Sequence, residues 1–366
     1  MTTPYQHVLV AGGAGFVGAS LALAIRKRFP GTRVTALDNL HRRGSELNLP
    51  RLAREGIEFV RGDVRRMEDL SVLPAPGLIL ECSAEPSVLA GYDGSPDYLV
   101  HTNLTGCFHC LEIARGARAD FIFVSTSRVY PYQRLNQLAW VEEETRYALR
   151  AEQKEPGASA AGIGEGFPLD GPRSLYGMTK LAAELMVEEY ADAYGLRFII
   201  NRCGLLSGPW QMAKSDQGVV ALWVAAHYFR RPLEYIGFGG SGKQVRDVLH
   251  IDDLADLVLD QMEHFSQYAG QRYNVGGGVR FSVSLREATQ FCQEITGHEV
   301  SVTPARRERR SDLRLYISDH RRVSAVRGWQ PRRDVRVTLA SIHDWLRLDG
   351  DRIEPLIFGS GLAANP

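Results

Sequence analysis

A chain of 366 residues is long enough for one large domain or two coupled ones, with a core that needs no disulfides or structural metal. Lys plus Arg and Asp plus Glu number 43 each, so no global field draws the protein to nucleic acid or to a membrane surface. Five cysteines, an odd number, argue against a secreted disulfide scaffold, and no apolar run is long enough to span a bilayer, so the expectation is a soluble cytoplasmic protein.

His7–Ala11 reads as a buried strand and Phe16–Phe29 as a helix. Further strands follow at Arg33–Leu37, Ile57–Val60 and Leu78–Cys82. Tyr98–Ala117 reads as a helix, Phe121–Ser125 as a fifth strand, Leu175–Tyr194 as a strong helix and Leu196–Asn201 as a sixth strand. Apolar, non-alternating strands separated by helices predict a parallel sheet covered on both faces. That is an α/β doubly wound (Rossmann) fold, expected over residues 1–203. The Gly-, Ala-, Ser- and Pro-rich stretch Leu149–Pro172 reads as a loop within it.

From Gly204 the alternation ends. Helices are expected near Gly218–Phe229, Ile251–Phe265, Ser284–Thr296 and Val335–Leu348, with short strands between. This predicts a smaller mixed α/β lobe over 204–348 that closes on a substrate, with room for an element returned to the first domain. Residues 349–366 lack periodicity and read as a tail. Cys107-Phe108-His109-Cys110 has metal or redox spacing, but it sits in an apolar helical pattern with no second ligand pair, so core packing is expected. Arg65-Arg66 and Arg306-Arg307-Glu308-Arg309-Arg310 read as solvated basic faces that are also able to grip phosphate.

The first strand runs straight into Gly12-x-x-Gly15-x-x-Gly18, and Phe16 and Val17 open a helix. That strand–turn–helix context is what a dinucleotide needs: a tight turn, close backbone approach and a helix N-terminus facing the pyrophosphate. Asp38 ends the second strand, where a carboxylate accepts ribose hydroxyls and repels a 2′-phosphate, so NAD is expected. Arg42 and Arg43 follow and leave NADP open as the alternative. Asp63 and Val64 are placed to flank the adenine, and Ser83 and Ala84 to wall the nicotinamide riboside. Asn103 either ties backbone to the site or caps a helix.

Tyr176 and Lys180 stand one helical turn apart on one face. An ammonium and a nicotinamide ring beside the phenol favour its phenolate, which accepts a hydroxyl proton while hydride leaves the same carbon. Ser125-Thr126-Ser127 at the end of the fifth strand supplies a hydroxyl donor for the substrate oxygen, and Thr126 is the expected one. Cys203 is expected to line the pocket as a buried thiol.

With these motifs in view, the chain resembles the extended short-chain dehydrogenase/reductases over about His7 to Leu346. Within them it is most similar to nucleotide-sugar epimerases of the CDP-paratose 2-epimerase (CDP-tyvelose epimerase) type. The more discriminating segments are Asp38-Asn39-Leu40 with Arg43-Gly44-Ser45, Glu144-Thr145-Arg146-Tyr147, Asp216-Gln217-Gly218, Lys243 to His250 and Ser311-Asp312. The resemblance implies Thr126, Tyr176 and Lys180 as the catalytic set, and adds Asn39, Arg43 and Ser45 to the NAD site. It implies Arg246 on a nucleotide diphosphate and Arg309 with Asp312 at the nucleoside end; a salt bridge to Asp247 or Asp252 is the alternative for Arg246. Glu85, Ser127, Arg128, Cys203, Gln217 and Gln244 complete the expected substrate wall. A homodimer through the helices at Tyr98–Ala117 and Leu175–Tyr194 is also implied.

The chain departs from the family's pattern where the sugar lies. Glu81 and Glu85 replace a His and a Gln, Leu205 replaces a polar residue and Ser207 a Tyr, while Arg202 matches. Dehydrating members place an acid just after the hydroxyl donor. Here Ser127 and Arg128 follow Thr126, which disfavours dehydration. The expected activity is epimerisation at C2 of a CDP-linked or other nucleotide-linked sugar. The alternatives are a 4-epimerase, a net sugar oxidoreductase, and an NAD-binding regulator without chemistry.

Overall fold

The structure, a computed structural model, describes residues 4–214 and 217–359. Seven parallel strands form its main sheet: β1 (His7–Ala11), β2 (Arg33–Asp38), β3 (Glu58–Arg61), β4 (Leu78–Glu81), β5 (Asp120–Thr126), β6 (Phe198–Cys203) and β7 (Gln271–Val275). Their spatial order is β7-β6-β5-β4-β1-β2-β3. The chain therefore reverses direction across the sheet between β1 and β4, which is where open α/β sheets place their ligands.

The strands are apolar on both faces because both are covered. Val8, Val10, Leu78, Leu80 and Ile122 belong to one core, packed with the helices Phe16–Arg28 and Ile251–Glu263. Leu9, Ile79, Phe121, Phe123 and Ile200 belong to the other, packed with Gly106–Ala117 and Leu175–Tyr194. Cys107 and Cys110 are buried in that second core as free thiols, and burial pushes both well up, so they pack as apolar residues.

The helical stretch begins at Asp97, and His101–Thr105 forms one wide π turn before Gly106. Such turns re-aim side chains, and this one carries Asn103, which is 2 % exposed. The helix Leu175–Tyr194 is closed at both ends by sequence-local devices. The Ser174 hydroxyl accepts from Gly177 N, and Gly195 ends it at φ 69°, a left-handed conformation that suits glycine.

Beyond β6 the chain builds a second layer. Val245–His250 pairs in parallel with Leu205–Ser207 and Leu315–Tyr316 and antiparallel with Ser282–Ser284. Helices Val219–Tyr228, Leu285–Thr296 and Val335–Phe358 close a core around Trp223, Val224, Phe281, Leu339 and Ile342. β7 returns from this region to extend the main sheet beside β6. Of the 149–172 stretch, Leu149 ends the strand Tyr147–Leu149, paired with Trp140–Glu142, and the rest is loop apart from the two-residue ladder Ala158–Ser159 with Gly162–Ile163.

The last helix does not stop at Leu348. It continues to Phe358, because Gly350, Ile353 and Ile357 carry its buried face onward. Leu348 itself is solvent-exposed, so the apparent end of the apolar pattern is a surface position within the helix.

Candidate active site

Two adjoining cavities lie over the carboxyl ends of the strands. The first, about 240 Å³, is lined by Gly12, Gly15, Phe16, Val17, Asp38, Asn39, Ser45, Val64, Ser83, Ala84 and Glu85 among others. The second, about 330 Å³, holds Thr126, Ser127, Arg128, Tyr176, Lys180, Cys203, Gln217, Gln244, Arg246, Arg309 and Asp312. Phe16, Val17, Cys82, Ala84, Pro86 and Gln217 belong to both, so the two form one continuous site.

The glycine loop is built for close approach. Gly12 has φ 72°, and a Cβ there would stand 2.8 Å from the backbone of Ser83. Gly18 cannot carry one either, since it would meet Gly12 O at 2.1 Å. At Gly15 a Cβ would meet only Gly12 O, at 3.2 Å, and would otherwise project into the cavity. The helix that starts there has no side-chain cap and no acidic residue in its first turn. Its leading N–H groups are left to an anion.

Asp38 is held from behind. Ala14 N donates to its Oδ2 at 3.1 Å and Leu40 N to its Oδ1 at 2.8 Å. Burial pushes its carboxyl up, against those backbone hydrogen bonds. Three of the residues expected at the cofactor do not line the cavity. Arg43 turns outward and donates to Pro355 O in the C-terminal helix, while Arg42 lines the cavity and donates to Met212 O. Asp63 accepts from Arg65 and from Asn39 Nδ2. Burial acts to raise its carboxyl, but those partners hold it well below the usual carboxylate range. Asp63 therefore braces Asn39 from below. Asn103 sits behind the wall as a tie. Its Oδ1 accepts from Glu85 N at 2.8 Å, and its Nδ2 donates to Glu85 O and Thr179 Oγ1 at 3.1 Å each. It does not cap a helix; it joins the β4 exit to the helix bearing Tyr176 and Lys180.

At the second cavity the Thr126 hydroxyl stands beside the Tyr176 phenol and acts to lower its pKa. Thr126 Oγ1 also accepts from Arg128 N at 3.2 Å. The protein's own groups do not produce the expected fall in the phenol's pKa. Burial pushes it up to about 12, with Thr126 and the Arg128 charge acting the other way. Lys180 lies deeper, its Nζ 4.0 Å from the centre of the Phe123 ring. Burial pushes the Cys203 thiol up to about 12, so it is neutral and no nucleophile.

Cationic groups gather toward the far end. Arg246 Nη2 meets Asp312 Oδ1 at 3.1 Å, and Arg128 Nη1 donates to Ser311 O at 3.0 Å. Arg309 lines the same wall. The partner of Arg246 is therefore Asp312, not Asp247 or Asp252. Asp247 is buried and accepts from Gly278 N and Ser318 N. Burial lowers Arg246 to about 10, and Asp312 works against that. Gln217 Oε1, Gln244 Oε1 and Tyr316 OH are buried atoms on this wall with no partner among the described residues. Unpaired buried polar atoms point to a polar ligand. Gln244 Nε2 is already given to Ile236 O at 2.8 Å, so its oxygen is left as an acceptor.

Arg202 lies beneath the site, fully buried, with Nη2 2.6 Å from Glu184 Oε2 and Nη1 3.1 Å from Tyr130 OH. Ser125 Oγ donates to the same Glu184 at 2.5 Å. Several lining residues gave no sequence signal, among them Pro86, Gln211, Trp223 and Tyr316. Pro86 follows directly on Glu85 at the β4 exit, while Trp223 and Tyr316 reach the site through the packing of distant elements. Asp216 lies outside the described residues.

A profile of the NAD dependent epimerase/dehydratase family matches residues 8–276. A CDP-paratose 2-epimerase of Salmonella typhi is 29% identical over 355 residues, 93% of this chain and 99% of that one. A dTDP-glucose 4,6-dehydratase of Streptomyces griseus is 28% identical over 370 residues, with 100% of both chains covered. Among solved structures, a UDP-glucose 4-epimerase of Thermus thermophilus in complex with NAD superposes with a TM-score of 0.73 at 26% identity, over 93% of this chain and 99% of that one. An epimerase of Methanothermobacter thermautotrophicus, at TM-score 0.79 and 22% identity over 95% and 94%, shares the fold.

Proposed function

The chain belongs to the NAD dependent epimerase/dehydratase family, and from that premise we propose that it epimerises a nucleotide-linked sugar, at C2 and on a CDP carrier. The observation that carries this reading is the convergence of Thr126, Tyr176 and Lys180 in the cavity that adjoins the glycine-loop cavity. The choice of C2 and of CDP rests on the likeness to the Salmonella typhi protein.

The residues present suit NAD. Gly12, Gly15, Phe16 and Val17 would hold its diphosphate at the uncapped helix start, and Asp38 its adenosine ribose. When bound, NAD supplies a reversible hydride acceptor beside the sugar carbon. Tyr176 Oη takes the hydroxyl proton of that carbon and later returns it. Thr126 Oγ1 holds the phenol and the sugar oxygen in line. Arg128 adds positive charge beside the phenol, and Lys180, one helical turn on, lines the same cavity. Arg246, Arg309 and Arg128, offset by Asp312, leave the far wall cationic enough for a diphosphate.

Ser127 and Arg128 occupy the positions after Thr126, so no carboxylic acid stands there to expel water from the sugar. This favours epimerisation over dehydration. Glu85 and Leu205 at the sugar end favour a second reading, a 4-epimerase or a net sugar oxidoreductase. A second copy of the chain is the proposed cover for Phe108, Met178, Leu185 and Tyr194, large residues exposed on the helices Gly106–Ala117 and Leu175–Tyr194.

The test is incubation of the purified protein with CDP-, UDP-, dTDP- and GDP-sugars. Deuterium at C2 or C4 of the substrate locates the carbon that exchanges hydride. Retention of the label on an inverted C2 supports the reading, and inversion at C4 replaces it with the alternative.

A further inference from the structure

Glu81 ends β4 and is 1 % exposed. Its neighbours across the sheet are Ala11 on one side and Phe123 on the other. Lys180 is 2 % exposed, and its ammonium sits over the Phe123 ring. A buried carboxyl and a buried ammonium thus both stand at Phe123, at the carboxyl end of the sheet, without meeting in a direct ion pair. Glu81 lines neither cavity, so it touches neither the cofactor site nor the substrate site.

Ser83, just past the strand of Glu81, donates to it through N at 3.0 Å and through Oγ. Cys82 follows it in the chain, and Cys107 and Cys110 face it from the helix Gly106–Ala117. Burial holds all of these thiols neutral. Lys180, from the helix above, is the charged group. A lone buried ammonium is unfavourable unless a counter-charge stands near it.

We propose that Glu81 is the buried counter-ion of Lys180, a positioning residue that sets the place and the net charge of the ammonium and acts on Tyr176 through it. The proposal rests on the reading of Tyr176 and Lys180 as the catalytic pair. Burial raises the Glu81 carboxyl to about 7, with the Lys180 charge pulling the other way. Around neutral pH the net charge of the pair therefore changes from positive to zero. A carboxyl raised from its ordinary value of 4.5 to about 7 contributes stability that is full below about 4.5 and lost as pH rises to about 7.

The experiment is thermal unfolding from pH 5 to 9 of the wild type, Glu81→Gln, Lys180→Met and the double variant, with kcat and KM profiles of the wild type and Glu81→Gln. The wild-type Tm should decline as pH rises to about 7, and Glu81→Gln should lack that decline. In Lys180→Met the decline should extend at least about one pH unit higher, since the ammonium no longer opposes protonation. The double variant should lack it. A decline over the same pH range in Lys180→Met and wild type overturns the pairing. Should Lys180→Met not fold, recovery of folding in the double variant at pH 8 supports the pairing. Failure of both to fold passes the decision to the kinetic profiles. There, Glu81→Gln should lose a kcat inflection near pH 7 with KM unchanged; an unaltered kcat profile overturns the positioning role. Absence of any turnover by the wild type defeats the proposed function instead, and leaves the unfolding arms to judge the pair.

Discussion

Arg246 and Asp312 meet across the wall of the substrate cavity, with Nη2 3.1 Å from Oδ1. They come from a strand and a loop 66 residues apart, so the pair also fixes how the loop covers the cavity. A second donor of Arg246, Nη1, is spent on Val245 O. If the guanidinium holds a diphosphate, Arg246→Ala removes charge-assisted bonds worth about 1.5–3 kcal/mol, a rise of roughly 10- to 100-fold in KM with kcat little changed. Arg246→Lys should recover only part of the loss, because an ammonium lacks the fork. An unchanged KM in Arg246→Ala removes the diphosphate from this wall.

Tyr176 carries a prediction with a sign. A phenol pushed up to about 12 is protonated at neutral pH, so the free enzyme holds little of the basic form. kcat/KM should therefore climb between pH 6 and 9, as the base sheds its proton. Tyr176→Phe should lower kcat by about 10²–10⁴-fold and abolish the climb, while the protein keeps its bound nucleotide. A pH profile that Tyr176→Phe leaves unchanged in shape takes the base away from Tyr176.

The pair beneath the site makes a stability prediction. Arg202 and Glu184 are fully or nearly fully buried and are also bonded to Tyr130 and Ser125. Arg202→Met strands a carboxylate in the core and should cost about 3–5 kcal/mol, read as a lower denaturation midpoint. The double change Arg202→Met with Glu184→Leu should recover most of it, since a well-packed apolar pair often replaces a buried ion pair without loss. Additive losses would show that packing, not the uncompensated charge, sets the cost.

The sequence made legible what is local. The glycine loop, Asp38 at a strand end and the i, i+4 pair Tyr176–Lys180 each depend on a few neighbouring residues, and the parallel sheet follows from doubly apolar strands. What was not legible is what packing brings together. Arg42 rather than Arg43 faces the cavity because the C-terminal helix offers Pro355 O to Arg43. Asn103 becomes a tie because a wide turn re-aims it. Arg246 finds Asp312, and Trp223 and Tyr316 arrive from separate elements. The end of the last helix does carry a sequence signal: Leu346, Gly350, Ile353 and Ile357 continue a helical spacing past the exposed Leu348.

That helix end gives a further prediction. A chain ending after Leu348 loses two buried isoleucines, worth at most about 1.5–3 kcal/mol each, and the carbonyl that holds Arg43. It should unfold at a lower temperature and release NAD more readily, read as the nucleotide content of the purified protein. Full nucleotide content and an unchanged Tm would mark residues 349–358 as dispensable.

The central claim is that Thr126, Tyr176 and Lys180 serve a closed cycle, in which the sugar loses and regains its hydrogen without leaving the site. The most direct measurement follows NMR of the product and absorbance at the NADH band together, with a CDP-sugar and no added NAD. The account predicts accumulation of the C2 epimer with no net rise in NADH. Steady build-up of NADH in step with an oxidised sugar, once NAD is supplied, would contradict it.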